Sequence, residues 1–596
     1  MRSLRPWCQN LPEMAGGLIT RALLPIVVAT GGGAASLPAA SAAAVRHGPR
    51  TRIETPIRSA APDRRVVRES YVRLRAPLPA SDGPRPPACD WIGYLRFRAV
   101  HGPRSAWRAD AVFVTMPGIF AGASMLDQFA RNTVRAAAAH GRHVEVWTLD
   151  RRSNCLEDHF GTAVAARAHN AKIAFDYYFH GGQARGRRFA GYKTSQQAAF
   201  LSHVGLSRTV RDEYIVIARN VPRRLRTRKV FCGGHSLGGP LTTAFADWDF
   251  DGNPRTTRDA GYNQCAGFFA LDTRLSLGSS SGGGSPSVGL AQALAAASNG
   301  SPYVNAPPFT PETIQAVAPT GVAAFQQPGA QSSVPLWTPD DANFQATYRT
   351  LFSRDAANAI TQIPSIRDFR VTNEVALAAI FDDNSAPVTI LRASLGTYTG
   401  GPVAQKSFPA PYGSGSGSSG GLVDGMHLMI PTAAHGPLYR WWNFNRVGRP
   451  GTPVQLDDGG HPFTSRASEI SDIHQFARIQ FEAPADFSEQ YFPTRLLADE
   501  SDAEGGDRSG DLASLRYDGI PRRPALYADA QHGIEDGAAA PPRGPAPNAW
   551  IRLTGYDHID VATAAWRQNS GHGEAESRGL ATWAAKVLAR RKARRR

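Results

Sequence analysis

The chain of 596 residues carries 66 Lys and Arg against 50 Asp and Glu, for a formal net charge of +16, and 42% of it is hydrophobic. That length and apolar content exclude a disordered or fibrous chain and allow two to four structural units around large cores. The positive excess is mostly arginine scattered along the chain, dense only at Arg223, Arg224, Arg226 and Arg228 and in the terminal RRKARRR, which reads as a solvated exterior with a basic tail and not as a specific nucleic-acid footprint.

Arg2, Arg5 and Arg21 lead into an uncharged stretch of apolar and small residues from Ala22 to Ala44, with Ala40-Ser41-Ala42 and similar small-x-small sites before Val45. This predicts an export signal cleaved near residues 42 to 44. Pro25, Pro38 and Gly31 to Gly33 interrupt the run and leave too few bulky residues for a membrane-spanning helix of about 20 residues. The mature chain is expected to be soluble and outside the cytoplasm, secreted, periplasmic or at the cell surface. Of the five cysteines, Cys8 leaves with the signal, and Cys89, Cys155, Cys232 and Cys265 can form two disulfides in an oxidising compartment. Cys232 near the end of one strand and Cys265 near the start of the next would differ in height by about 10 Å, beyond the usual Cα separation of roughly 4.4 to 6.8 Å, so that pairing is not expected. Cys89 with Cys155 stays open.

CDWIGYLRFRAV reads as an early, antiparallel strand. From Ala109 strand-like and helix-like segments alternate: ADAVFVTMPG, then ASMLDQFARNTVRAAAAHG at helical spacing, then HVEVWTLD. Helical material follows over Ala163 to Arg219, then the strand KVFCGG, the helix LGGPLTTAFADW and the strand AGFFALD. Such a succession predicts a mostly parallel, doubly wound sheet covered on both faces. After Ser276 the rhythm stops for more than 200 residues. Connections in compact domains run to about 4 to 6 residues, so this region needs elements of its own. VGLAQALAAAS, IRDFRVTNEVALAAIF and RASEISDIHQFARIQF look helical, while LGSSSGGGS and YGSGSGSSGG read as linkers. RRPALYADA and NAWIRLTG return as strands, and ESRGLATWAAKVLARR closes as an amphipathic helix. The expected organisation is a signal over 1–44, an N-terminal extension over 45–88, a core in two parts over 89–276 and 516–590, an insertion over 277–515, and a basic tail over 591–596.

The pattern G-x-S-x-G occurs three times, around Ser236, Ser280 and Ser419, and only the first has a strand before it and a helix after it. In Gly234-His235-Ser236-Leu237-Gly238 the glycines remove side chains where a sharp strand-to-helix turn would lift the Ser236 hydroxyl above the sheet, with the Leu237 amide facing a developing oxyanion. A serine nucleophile needs a base from the same edge of the sheet. His558, just past the last strand in NAWIRLTGYDHIDV, meets that requirement better than His435, His461 or His532. The orienting acid is Asp272, at the tip of AGFFALD, or Asp529, in PALYADA; Asp272 is favoured because it ends a fully apolar run. The loop MPGIFAGASM offers the Ile119 amide as the second oxyanion donor beside Gly118.

Taken together, GGHSLGG, an acid after a central strand, the late GYDHIDV and the MPGIF loop resemble the α/β-hydrolase family of serine esterases and lipases over about 90 to 275 and 520 to 590. The resemblance implies a Ser-acid-His triad, an α/β-hydrolase-type sheet with a large, mainly helical cap insertion, and an ester substrate, lipids among the candidates, cleaved without a cofactor. Pro117-Gly118 stands where the family usually has His-Gly. A peptidase or amidase of the same architecture, and an inactive member that binds surfaces through its basic exterior, are the alternatives. The aromatics Phe408, Tyr412, Tyr439, Trp441, Trp442 and Phe444 read equally as walls of an acyl pocket or as cap core. Asp247 to Gly252 copies the start of an EF-hand loop, but its twelfth position is Arg258, so no metal is expected there.

Overall fold

Nine strands make one sheet. They are β1 (Arg52–Ile57), β2 (Val67–Arg75), β3 (Trp91–Ala99), β4 (Ala111–Met116), β5 (Val144–Leu149), β6 (Val230–His235), β7 (Gly267–Leu271), β8 (Ala525–His532) and β9 (Ala549–Asp557). In space they run β1-β2-β3-β5-β4-β6-β7-β8-β9. The first three pair antiparallel, β3 pairs antiparallel with β5, and every pairing from β5 onward is parallel. The computed structural model describes residues 51–277, 286–409, 427–452, 454–534 and 544–593. The expected export signal, the motifs at Ser280 and Ser419, Tyr412 and the end of the basic tail lie outside them.

The central strands are continuous apolar runs because both faces are covered. Alternation then sorts their side chains. Phe113, Phe231 and Phe269 meet Phe129 and Val134 of helix α1 (Asp127–Ala139) together with Leu580 and Trp583 of the closing helix. Val112, Val114, Cys232 and Phe268 face the other way, against Val210 and Ile217 of α2 (Leu206–Asn220) and Leu241 and Phe245 of α3 (Gly238–Asp247). The result is a doubly wound sheet.

Several sequence expectations change in detail. The N-terminal segment is no appendage: β1 and β2 extend the sheet beyond β3. The stretch after Ala163 is broken, with helices at Phe160–Ala168 and Lys172–Phe179 and a short two-stranded turn before α2. RASEISDIHQFARIQF is helical only over Ile473–Ile479. The insertion between β7 and β8 is mainly helical but also holds two small antiparallel pairs, Gly396–Thr399 with Arg440–Asn443 and Val403–Gln405 with Met429–Pro431. Tyr439, Trp441 and Phe444 are buried in that insertion as core.

Both disulfides form. Cys89 joins Cys155. Against expectation, Cys232 joins Cys265 with a Cα separation of 6.0 Å. Cys232 is the third residue of β6 and lies opposite Phe268, and the height argument extends β7 straight back from there. Cys265 lies outside β7, in the short segment between the turn at Gly261–Asn263 and Gly267, and so is not held to straight-strand spacing.

Core and insertion fall within one compact unit, Arg50–Arg596, and buried charge helps to join them. Arg131 of α1, fully buried, pairs with Asp63 at 3.0 Å and Asp127 at 2.9 Å, and also with Glu69 of β2. Arg478 of the insertion reaches the same Asp127. Charges out of water are tolerated only when so paired, and removing one partner strands the others. Arg131→Ala is therefore expected to lower stability by about 3–5 kcal/mol, read as a shift of the urea-unfolding midpoint; an unchanged midpoint would show that the cluster carries no such load.

Candidate active site

Ser236 sits immediately after β6 with φ 55°, in the left-handed region that costs a non-glycine residue about 1–2 kcal/mol. The turn is held by bonds to the next strand's end. The Ser236 amide donates to the Leu271 carbonyl at 3.2 Å, and the Ser236 carbonyl accepts from Thr273 Oγ1 at 2.6 Å and from the Gly239 amide at 2.9 Å. Close packing explains the flanking glycines: a Cβ on Gly234 would lie 2.4 Å from the Gly238 backbone. On the open side, a Cβ on Gly118 would come within 3.4 Å of Ser236 Oγ, so the loop after β4 lies against the serine side chain.

Asp272, the residue after β7, accepts from His558 Nδ1 at 2.5 Å. Its carboxylate is fully buried and is completed by the amides of Ala530 and Ile534, each at 3.1 Å. Gly533 closes over it so tightly that a Cβ there would stand 2.2 Å from Oδ2. With Nδ1 committed to Asp272, Nε2 is the nitrogen of His558 left for the serine. Ser236 Oγ and His558 Nε2 are not hydrogen-bonded in this structure. Such contacts commonly tighten only when substrate is present.

Asp529 stands elsewhere. It lies within β8, opposite Arg552, accepts from the Trp550 indole, and burial pushes its carboxyl up to about 6. The other histidines also stay apart: His435 and His461 are exposed beside Asp368 and Asp457, and His532 is exposed at the end of β8. Near the start of α3 the amide of Leu237, and in the loop after β4 that of Ile119, donate to no protein acceptor among the described residues. Two donors beside the serine side chain can receive an oxyanion, aided by the positive end of α3.

Two residues of the site carry no motif. Arg151, buried just past β5, donates to the carbonyls of Pro117 at 2.7 Å, Gly118 at 2.8 Å and Ala121 at 2.8 Å, and pairs with Glu489 of the insertion at 2.7 Å. One guanidinium thus pins the loop that carries Ile119. His235 donates from Nε2 to the His558 carbonyl at 2.9 Å, and the two rings lie 4.4 Å apart. Burial, with the neighbouring imidazole adding, holds His235 well below the usual histidine range, which favours its neutral form. The only sequence signal for either was adjacency: His235 precedes the serine, and Arg151 follows a strand tip.

An antiparallel start, six parallel strands, a serine on a left-handed turn after a central strand, and an acid and a histidine after later strands define the architecture. The fold is that of the α/β-hydrolases. Solved structures of hydrolases show a distant likeness to the chain. Epoxide hydrolase A from Mycobacterium thermoresistibile is 12% identical, covering 78% of this chain and 89% of its own, with a TM-score of 0.28. A lipase in open form is 10% identical over 84% and 95%, at 0.27, and a peroxisomal alpha-beta-hydrolase from Saccharomyces cerevisiae is 11% identical over 88% and 88%, at 0.29. No family profile matches the sequence, and neither does any curated protein. The fold assignment therefore rests on strand order, strand direction and the turn at Ser236.

Among the described residues, two groups bring three ligand-type side chains together: Glu157, His159 and Asp486, and Asp249, Asp251 and Asp259. The second holds two residues of the EF-hand-like stretch, and there Arg516 already supplies a cation to Asp249 at 2.8 Å.

The geometry separates the two candidate acids by experiment. Asp272→Asn is expected to slow labelling of Ser236 by a fluorophosphonate by about 10³–10⁴-fold, and Asp529→Asn to leave it within a few-fold. Equal effects, or the reverse order, would contradict the pairing of His558 with Asp272.

Proposed function

We propose that the protein is an exported serine hydrolase that cleaves carboxylic esters. The observation that carries the reading is the fully buried Asp272–His558 pair set at the same sheet edge as a serine on a strained turn. Ser236 Oγ attacks the ester carbonyl as His558 Nε2 takes its proton, forming a C–O bond and placing negative charge on the carbonyl oxygen. The Leu237 and Ile119 amides receive that charge. The intermediate collapses as His558 returns the proton to the leaving alcohol, and an acyl-enzyme remains. Water, deprotonated by His558, then releases the acid and restores Ser236. Asp272 holds the imidazole with Nδ1 protonated and stabilises its charged form throughout.

Support for an ester with an aliphatic acyl part comes from a cavity that reaches the loop after β4. Phe120, two residues beyond Gly118, walls a space lined by Phe309, Ile314, Val375 and Phe381 of the insertion, suited to an aliphatic acyl chain. Of the aromatics singled out from the sequence, those among the described residues do not line it. Export is supported by the two disulfides, which persist in oxidising compartments. No helix among the described residues is long and apolar enough to cross a membrane.

Fluorophosphonate labelling of the full chain, lost in Ser236→Ala, is the expected result; no labelling, or labelling that survives the substitution, overturns the nucleophile. p-Nitrophenyl esters are expected to turn over faster than the matching anilides, and the opposite ranking would make the enzyme an amidase.

A further inference from the structure

The same cavity holds a charge with no place in the mechanism. Among the described residues that line it, Lys406 alone bears a charge; the rest are apolar, aromatic, hydroxyl-bearing or alanine side chains. Lys406 follows the short strand Val403–Gln405 and is 2% exposed. Its Nζ donates to the Leu351 carbonyl, in the last turn of the helix Ala342–Phe352, at 2.7 Å, and has no carboxylate partner among the described residues. An ammonium has three donors, and one carbonyl plus a helix end satisfies it only in part. Burial, with Arg392 adding repulsion, lowers its pKa to about 7. A buried amine in an apolar wall is costly unless something compensates it.

We propose that this cavity binds an aliphatic chain ending in a carboxylate, with Lys406 as the counter-charge. The apolar wall from Phe120 inward takes the chain, and the ammonium takes the far end. Resting on the ester-hydrolase reading, this names a substrate class: half-esters of dicarboxylic acids, whose free carboxylate pairs with Lys406 while the ester end lies at Ser236. A free fatty acid presents the same chemistry to the cavity.

Two measurements on the full chain test it. In calorimetric binding to the wild type, octanoate is expected to bind at least 10-fold tighter than octanol; without a usable cation the ranking inverts, because an apolar cavity disfavours the better-hydrated ion. Lys406→Met, which keeps the volume and removes the charge, is expected to abolish the preference for octanoate. Octanoate binding no tighter than octanol in the wild type, or a preference that survives in Lys406→Met, overturns the proposal, and the first comparison stands even if the variant does not fold. Turnover then separates the sources. A kcat/KM higher for mono-p-nitrophenyl suberate than for p-nitrophenyl octanoate assigns the half-ester; equal values with an octanoate preference in binding assign a free fatty acid. Octanoate binding without turnover of either ester defeats the hydrolase reading and leaves the cavity assignment in place.

Discussion

The site depends on one strained turn and the bonds that hold it. Ser236 occupies left-handed backbone space, and its amide and carbonyl are tied to Leu271 and Thr273, the residues on either side of Asp272. Ser236 and Asp272 are therefore tied together through backbone across two adjacent parallel strands. Neither can shift without breaking the other's support. Asp272, itself at φ 45°, is further enclosed by the amides of β8 and the loop after it, so that His558 meets a carboxylate with little freedom to turn. Preorganisation of this kind is what lets a weak nucleophile react: the orientation has been set by folding before substrate arrives.

The insertion is part of that arrangement as well as a cover for it. Glu489, from its C-terminal part, neutralises Arg151, and Arg151 holds three carbonyls of the loop that carries Ile119. Arg478 does similar work farther from the chemistry, reaching into the carboxylate cluster around Arg131 that also takes in the N-terminal segment. Buried ion pairs add little net stability over apolar packing, but they penalise any arrangement that leaves a member unpaired. The cavity is built within this cap, with Phe120 of the loop after β4 in its wall.

How legible the molecule is from its residues follows the range of the interactions involved. The central strands are short apolar runs bounded by turn residues, and Ser236 stands between one of them and a helix, so local pattern found both. His558 was placed by its position after the last strand. Choosing between Asp272 and Asp529 required the register of β8 against β7, which puts Asp529 inside the strand while Asp272 stands just beyond the end of its own. The Cys232–Cys265 pairing runs against straight-strand spacing because Cys265 stands outside β7, in the segment that leads into it. β1 at the edge of the sheet and β2 beside it carry exposed and half-exposed positions along their length and lack the continuous apolar run of the central strands.

The amino-acid order by itself determined the parallel core, the turn at Ser236 and the late histidine, because strand runs, glycine spacing and chain order are local properties that any compact fold must respect. Only the tertiary structure decided which carboxylate meets the imidazole, that Arg151 holds the loop carrying Ile119, and that Lys406 lines an apolar cavity. Those relations join residues far apart in the chain: the sheet sets Asp272 against His558, the insertion's own folding sets Lys406 in its cavity, and the packing of insertion against sheet sets Glu489 against Arg151.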